Sequence, residues 1–315
     1  MPDNAHLLIP LAASDAAGCQ QVLEGLRLPH LERLLPRLQA AGSDVGSDTD
    51  FSPPHERALA RHLGLPAGPD GHTPWAAWRQ QAAPGEACAY VTPCQWLIGA
   101  DQVLMADPRQ LQLHESDSRA LLDVLAPWFE QDGIALHYQE PTRWLARGAP
   151  LAALPCASLD RVIGRDVRAW LPPIAQARTL HRLQSEVQML LYTHPFNDER
   201  AQRGLPAINA FWVHGAGALD AATAVPANAA LPDMPLTLRD AALREDWPAW
   251  AAAWREIDAG PVARLAAQAA AGTPVRLTLC GERSALQWRS ARRGLLGHIS
   301  GLFGRQPLWN LREQL

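Results

Sequence analysis

Residues 192–217 read YTHPFNDERAQRGLPAINAFWVHGAG, and they carry far more polar equipment than the end of a helix requires. One Gly and one Pro are the usual helix stop. Here Asn197, Arg200, Arg203, Asn209, Trp212, His214 and a Gly215-Ala216-Gly217 turn fall in one short passage. The run before it, about 177–193, puts Leu180, Leu183, Val187, Leu190 and Leu191 on one helix face and must stop before Pro195. In a helical turn Asn197, Arg200 and Arg203 share a face, so an amide and two guanidinium forks point together, which suits a phosphate or carboxylate. INAFWV reads as a strand, and the glycines after it predict a concavity of backbone N–H groups for an anion. The competing reading of these residues is a structural knot of caps and ion pairs.

With 315 residues, 48% hydrophobic and 19% charged, the chain is long enough to bury a real core, and two linked lobes are expected. The formal charge of −4 names no partner. All 28 basic residues are arginine, which excludes a P-loop lysine, a pyridoxal phosphate Schiff base and any lysine nucleophile. Cys19, Cys88, Cys94, Cys156 and Cys280 contain no C-x-x-C pair, so neither a disulfide framework nor a zinc knuckle is indicated. The opening MPDNAHLLIPLAASD lacks a basic leader, and its apolar run is too short to span a membrane. A cytoplasmic protein is expected.

Working along the chain, His6–Leu11 reads as a buried strand, followed by a helical pattern through Leu23, Leu26, Leu31, Leu34, Leu35 and Leu38. GSDVGSDTD, 42–50, predicts a mobile loop. In FSPPHERALARHLGLP, Ser52 suits an N-cap and Pro53 the first helical position, with Gly64 and Pro66 closing the helix. His55 and His62 share a helix face but lack the i, i+4 spacing of a helical metal pair. ACAYVTP, QWLIG, DQVLMAD and QLQL read as short antiparallel strands, then a helix through Leu121, Leu125 and Phe129 ends at Gly133 before the strand IALHYQ. The Ala- and Pro-rich stretch 218–235 reads as a linker. After it come a helical stretch, 246–272, the strand PVRLTLCGE and the amphipathic segment 286–303. From Glu282 onward there are six Arg and two Glu, so that segment is a candidate contact for a membrane surface, nucleic acid or a protein partner, or it packs on the core. The acidic remainder of the chain disfavours nucleic acid.

With these elements in order, the chain resembles the archaeal-type cofactor-independent phosphoglycerate mutases of the alkaline phosphatase superfamily, and more closely the shorter RpfE-type regulatory proteins. LRLPHLERL is similar to the mutases' early Pro-Asn-Leu-Asp-Arg-Leu helix, and FSPPHERALARHLGLP to the segment carrying their serine nucleophile. SLDRVIGRDVRAWLP resembles their Asp-His-x-x-Gly passage. HPFNDERAQRGLPAINAFWVHGAG resembles their His-Pro-x-Asn-x-x-Arg run leading to Pro-Ala-Asn, an aromatic residue and Gly-x-Gly. The resemblance implies an α/β fold: a reduced alkaline-phosphatase-like core, 1–70 and 219–315, with an inserted α+β lobe, 71–218.

Superfamily members hold two divalent metals through Asp and His, and those metals activate the serine. The first ligand is expected directly after the N-terminal strand, where this chain has HLLIPLAAS and its nearest acid is Asp15. An Asp-His pair is expected after a strand such as RLTLC, where Cys280, Gly281, Glu282 and Arg283 stand. The Asp-x-x-x-His passage has no counterpart between 218 and 275, and the family's lysine is missing. The expectation is a mutase-like protein without metal or cofactor and catalytically silent. It binds a small anionic ligand, through residues 197–217 with Asp160, Arg161 and Arg165 as further contacts, or a protein partner. The alternative is a metal-dependent mutase or phosphatase with Ser52 as nucleophile.

Overall fold

The computed structural model describes residues 5–66, 68–220, 230–290 and 314–315. The protein is mixed α/β and divides into two compact units, one of residues 1–48, 53–63 and 228–315, the other of 49–52 and 64–227. The first unit opens with β1 (Ala5–Ile9), α1 (Ala17–Gly25), α2 (Pro29–Leu34), β2 (Leu38–Val45) and α3 (Pro54–Leu63). The second holds α4 (Trp75–Arg79), β3 (Cys88–Cys94), β4 (Trp96–Ile98), β5 (Val103–Met105), α5 (Glu115–Glu130) and β6 (Ala135–Glu140). It continues through β7 (Arg143–Arg147), α6 (Leu159–Val162), α7 (Arg178–Thr193), α8 (Pro195–Gln202) and β8 (Ala210–Gly217). The first unit resumes with α9 (Thr237–Ala242), α10 (Trp247–Ile257), α11 (Ala263–Ala270), β9 (Val275–Cys280) and β10 (Ser284–Ser290).

In the first unit the sheet order is β1-β9-β10-β2. β1 and β9 run parallel, with Ile9 opposite Leu279, so their C-terminal ends lie side by side. Leu7, Ile9, Leu277 and Leu279 pack in one core with Trp250 and Trp254 of α10. The two indoles also donate to Leu11 O at 2.9 Å and Ala12 O at 3.2 Å, fixing the loop after β1. The Asp258 carboxylate accepts from the His30 and Leu31 N–H groups at the start of α2, which satisfies donors that a helix N-terminus leaves open. The stretch 246–272, read from sequence as helical, is interrupted by a π-turn, Asp258–Val262, which contains Pro261.

The second unit is built on the antiparallel sheet β6-β7-β3-β8. Side chains alternate across a strand, so Tyr90, Thr92, Trp212 and His214 fall on one face, and Val91, Phe211 and Val213 on the other. The second face joins Trp144, Ala146 and the stripes of α5 and α7 in one core. The buried Trp144 indole is satisfied by donating to Ser118 Oγ at 2.9 Å.

Several local expectations are corrected. Residues 42–45 are not a loop, because β2 runs Leu38–Val45 and pairs with β10, which also ends the helical pattern before Leu38. QLQL is not a strand: Pro108–Leu111 is a 3-10 turn capped by the Asp107 carboxylate. Ser52 is not the first cap of α3, which begins at Pro54; its hydroxyl accepts from Gly71 N at 3.2 Å. In the segment 286–303, residues 286–290 belong to strand β10, and 291–303 lie outside the described residues. Within 218–235, residues 221–229 likewise lie outside, while Asp233 bridges to Leu7 of β1. The five cysteines are buried and none is in a disulfide. Among the described residues no helix is long and apolar enough to cross a membrane.

Candidate functional site

Residues 194–212 turn most of their polar groups onto neighbouring backbone. His194 caps α8 by accepting from Phe196 N at 3.2 Å, with Pro195 at the first helical position. The Asn197 amide donates to Leu191 O at 2.9 Å and Ile208 O at 2.8 Å, and accepts from Ile208 N at 2.9 Å. Arg200 is wholly buried, donating to Pro206 O and Leu111 O, with Asp117 at 3.7 Å. Burial pulls its pKa down and Asp117 opposes the shift. Arg203, at the surface, pairs with the same Asp117 at 2.6 Å, and that bond raises its pKa. Asn209 clasps Trp96, accepting from its N–H at 2.7 Å and donating to its carbonyl at 2.9 Å. The Trp212 indole donates to Ala157 O at 2.9 Å. The expected convergence of Asn197, Arg200 and Arg203 on a ligand is therefore replaced by two destinations: the arginines meet on Asp117, and Asn197 ties together both ends of the 191–208 loop. A charge buried this deeply needs partners, which the Leu111 and Pro206 carbonyls and the Asp117 charge supply in part, leaving Nη1 without a hydrogen bond.

Gly215-Ala216-Gly217 is not a turn beyond the strand, since β8 continues through Gly217. Gly215 has φ +63, and a Cβ there would sit 2.9 Å from the Trp75 Cβ; at Gly217 it would sit 2.9 Å from the Pro74 Cβ. The two glycines thus admit the close approach of α4 and the residue before it. The space read from sequence as an anion concavity has protein against it.

The other face of the sheet gathers a second set of polar groups. His214 Nε2 lies 3.2 Å from Thr92 Oγ1, and its ring is 5.5 Å from that of Tyr90. The Arg143 guanidinium lies over Tyr90 at 5.3 Å, and its buried Nε has no hydrogen-bond partner in the structure. Burial, and then Arg143, bring the His214 pKa down to about 4, against a smaller opposing pull from Asp160. Asp160 and Arg161 occupy the short helix α6, where Ser158 Oγ accepts from Asp160 N and the Arg161 guanidinium stands 5.8 Å from the Trp170 ring. Arg165 follows Gly164, and its carbonyl accepts from Met105 N. Tyr90, Thr92 and Arg143 were missed in the sequence because their common face exists only once β3, β7 and β8 pair.

Ser52 lies in a loop stitched to residues 70 and 71. Its N–H and that of Phe51 donate to the Asp70 carboxylate, while its Oγ accepts from Gly71 N. In the first unit, where the family resemblance places metal ligands, the side-by-side ends of β1 and β9 carry Ala12, Ala13 and Ser14, and Cys280, Gly281 and Glu282. Ala12 N donates to Cys280 O at 2.7 Å, and Ser14 Oγ donates to Glu282 at 2.6 Å. Burial pushes the Cys280 thiol up, away from the thiolate that binds a metal. Among the described residues no group of three or more His, Cys, Asp or Glu is arranged to hold a metal ion. These residues do not fit a two-metal centre. One cluster had no clear sequence signal: His6 Nδ1 stands 3.3 Å from His62 Nδ1, and His6 Nε2 2.9 Å from Thr278 Oγ1.

No protein-family model matches the chain. No curated protein matches it either. Among solved structures it is similar to the cofactor-independent phosphoglycerate mutase from Thermoplasma acidophilum DSM 1728, at 14% identity over 99% of this chain and 98% of that one, with a TM-score of 0.36. It is similar also to the PH0037 protein from Pyrococcus horikoshii, at 13% identity over 91% of this chain and 87% of that one, with a TM-score of 0.44. Overlaps of this quality carry no argument about the site, and the mixed α/β class rests on the strands and helices themselves.

Proposed function

We propose that this chain is a catalytically silent relative of the cofactor-independent phosphoglycerate mutases, RpfE-type in character, with a reduced alkaline-phosphatase-like core. In this reading it binds a small anionic ligand or a protein partner in a regulatory role. The observation that carries the proposal is the pair of strand ends in the first unit. Metal ligands are expected there, yet Ala12, Ala13 and Gly281 offer no donor side chain, and Ser14 and Glu282 are hydrogen-bonded to each other. A serine hydroxyl such as that of Ser52 is a poor nucleophile without a metal or adjacent base. For the anion, the second unit supplies the Arg143 Nε on the polar face, with Arg161 and Arg165 as further candidates and Asp160 to orient them.

The test is elemental analysis of the purified protein, a phosphoglycerate mutase assay with added manganese, and thermal unfolding with 3-phosphoglycerate, phosphate or sulfate. The expected outcome is no stoichiometric metal, no turnover and stabilisation by one of the anions. At 100 times its dissociation constant that stabilisation is about 2.7 kcal/mol. Stoichiometric manganese or zinc with turnover would replace this reading by the working enzyme with Ser52 as nucleophile.

A further inference from the structure

Period-2 alternation gives β1 and β9 two faces. Leu7, Ile9, Leu277 and Leu279 pack with Trp250 and Trp254, so His6 and Thr278 fall on the opposite face, where α3 lies against β9. α3 brings His62 to the same place, and that histidine finds its partner on β1 rather than on its own helix. The two imidazoles meet Nδ1 to Nδ1 at 3.3 Å, with ring centres 4.8 Å apart and planes at 65°. Both outer nitrogens are engaged, His6 Nε2 with Thr278 Oγ1 at 2.9 Å and His62 Nε2 with Ala230 O at 2.9 Å.

A carbonyl can only accept, so His62 Nε2 carries a proton, and in the neutral ring His62 Nδ1 turns a lone pair towards His6. The Thr278 hydroxyl can serve His6 in either direction. If the hydroxyl donates, His6 Nδ1–H is left to bond His62 Nδ1. If it accepts, the two Nδ1 lone pairs converge. The second arrangement is that of metal-ligating histidines, whose far N–H is held by an outer acceptor that fixes tautomer and ring orientation. The spacing agrees, because two nitrogens each about 2.0–2.1 Å from a tetrahedral ion lie about 3.3 Å apart. Burial, then His62 and Arg276, bring the His6 pKa down to about 3, so at neutral pH the ring is neutral, as a ligand must be. His6 is buried and His62 half-buried, so water reaches the pair from the His62 side and can complete the coordination.

We propose that His6 and His62 bind one divalent ion of the zinc class through their Nδ1 atoms, with Thr278 and the Ala230 carbonyl as positioning partners. Imidazole nitrogen selects this class over magnesium and calcium, which prefer oxygen. The pair lies partway along β1, apart from the strand ends at Ala12–Ser14 and Cys280–Glu282, so the site does not depend on the reading above: zinc here comes without turnover. Two protein ligands hold an ion loosely, and purification in chelator is expected to remove it.

The experiment is calorimetric titration of the chelator-treated full chain with Zn²⁺ at neutral pH, repeated with Mg²⁺. The wild type is expected to bind one Zn²⁺ that His62→Gln loses, while Mg²⁺ gives no saturable binding. The glutamine amide can still donate to the Ala230 carbonyl, so the fold is retained. Thr278→Val keeps the buried volume and removes the outer acceptor, with an expected weakening of about tenfold or more. His137→Gln, an exposed change in the second unit, is expected to bind as the wild type does. Absence of saturable Zn²⁺ binding would overturn the proposal, as would undiminished binding by His62→Gln or loss of the site in His137→Gln. Undiminished binding by Thr278→Val would overturn the positioning role. Should His62→Gln not fold, zinc-induced shifts of the His6 and His62 ring signals in the wild type decide, and their absence would count against the site.

Discussion

The two faces of the β6-β7-β3-β8 sheet draw on the same few strands and use them in opposite ways. On one face Phe211 and Val213 join Val91 and Trp144 in a core, with Phe211 and Phe129 edge to face at 4.9 Å between ring centres. On the other, one residue along each strand, Thr92, His214 and Trp212 carry hydrogen bonds, and Tyr90 lies under Arg143. The apolar face gains its energy from area removed from water, which is non-directional but requires the volume to stay filled. The polar face depends on directed bonds, and each buried donor or acceptor there must find a partner. The first face is therefore sensitive to lost volume, whereas the second is sensitive to single atoms.

The largest expected effect separates the faces by packing. Phe211→Ala removes a wholly buried ring and is expected to destabilise the protein by about 3–5 kcal/mol in a denaturant titration. It should leave the acid dependence described next unchanged; loss of that dependence would show that the faces are not independent.

Next in size is the response to acid. His214 has a folded pKa of about 4 against its ordinary 6.5, so the unfolded chain takes up the proton first. Stability contributed by the neutral ring is complete above about pH 6.5 and is lost as pH falls towards 4. At about 1.4 kcal/mol per pH unit, a shift from 6.5 to about 4 corresponds to about 3 kcal/mol. His6, with a pKa lowered to about 3, adds to the fall in the wild type. Comparison with His214→Gln isolates the His214 share, and equal slopes in the two proteins between pH 6.5 and 4 would remove His214 from the account.

The smallest effect concerns one bond. Trp212→Phe keeps an aromatic ring but deletes the indole N–H that satisfies Ala157 O together with part of the buried ring, with an expected loss of about 2 kcal/mol by urea unfolding. A neutral outcome would mean that Ala157 O finds water or another donor, and that the polar face is more forgiving than its geometry implies.

Much of the local structure was legible from residue pattern. The helices α5 and α7 follow from period-3.6 spacing, because burying one face imposes it whatever lies opposite, and β1, β3, β8 and β9 follow from short apolar runs, because both faces of these strands are largely buried. Where the pattern misled, a long-range partner had overridden it. Gly42–Val45 has loop composition and becomes strand because β10 pairs with it, and Gln287–Ser290 has an amphipathic helical look and becomes strand for the same reason.

The stretch 192–217 shows the same division. Sequence alone determined that it ends a helix at Pro195, starts a strand near Ala210 and holds an unusual density of amides and guanidinium groups. Composition also excluded every lysine-dependent chemistry. Only tertiary structure decided where those groups point: Asn197 to the carbonyls of Leu191 and Ile208, Arg200 to Leu111 and Asp117, and Gly215 to Trp75. Hydrogen-bonding capacity belongs to the residue and can be read from its type, but the partner is set by which backbone group the fold brings within about 3 Å.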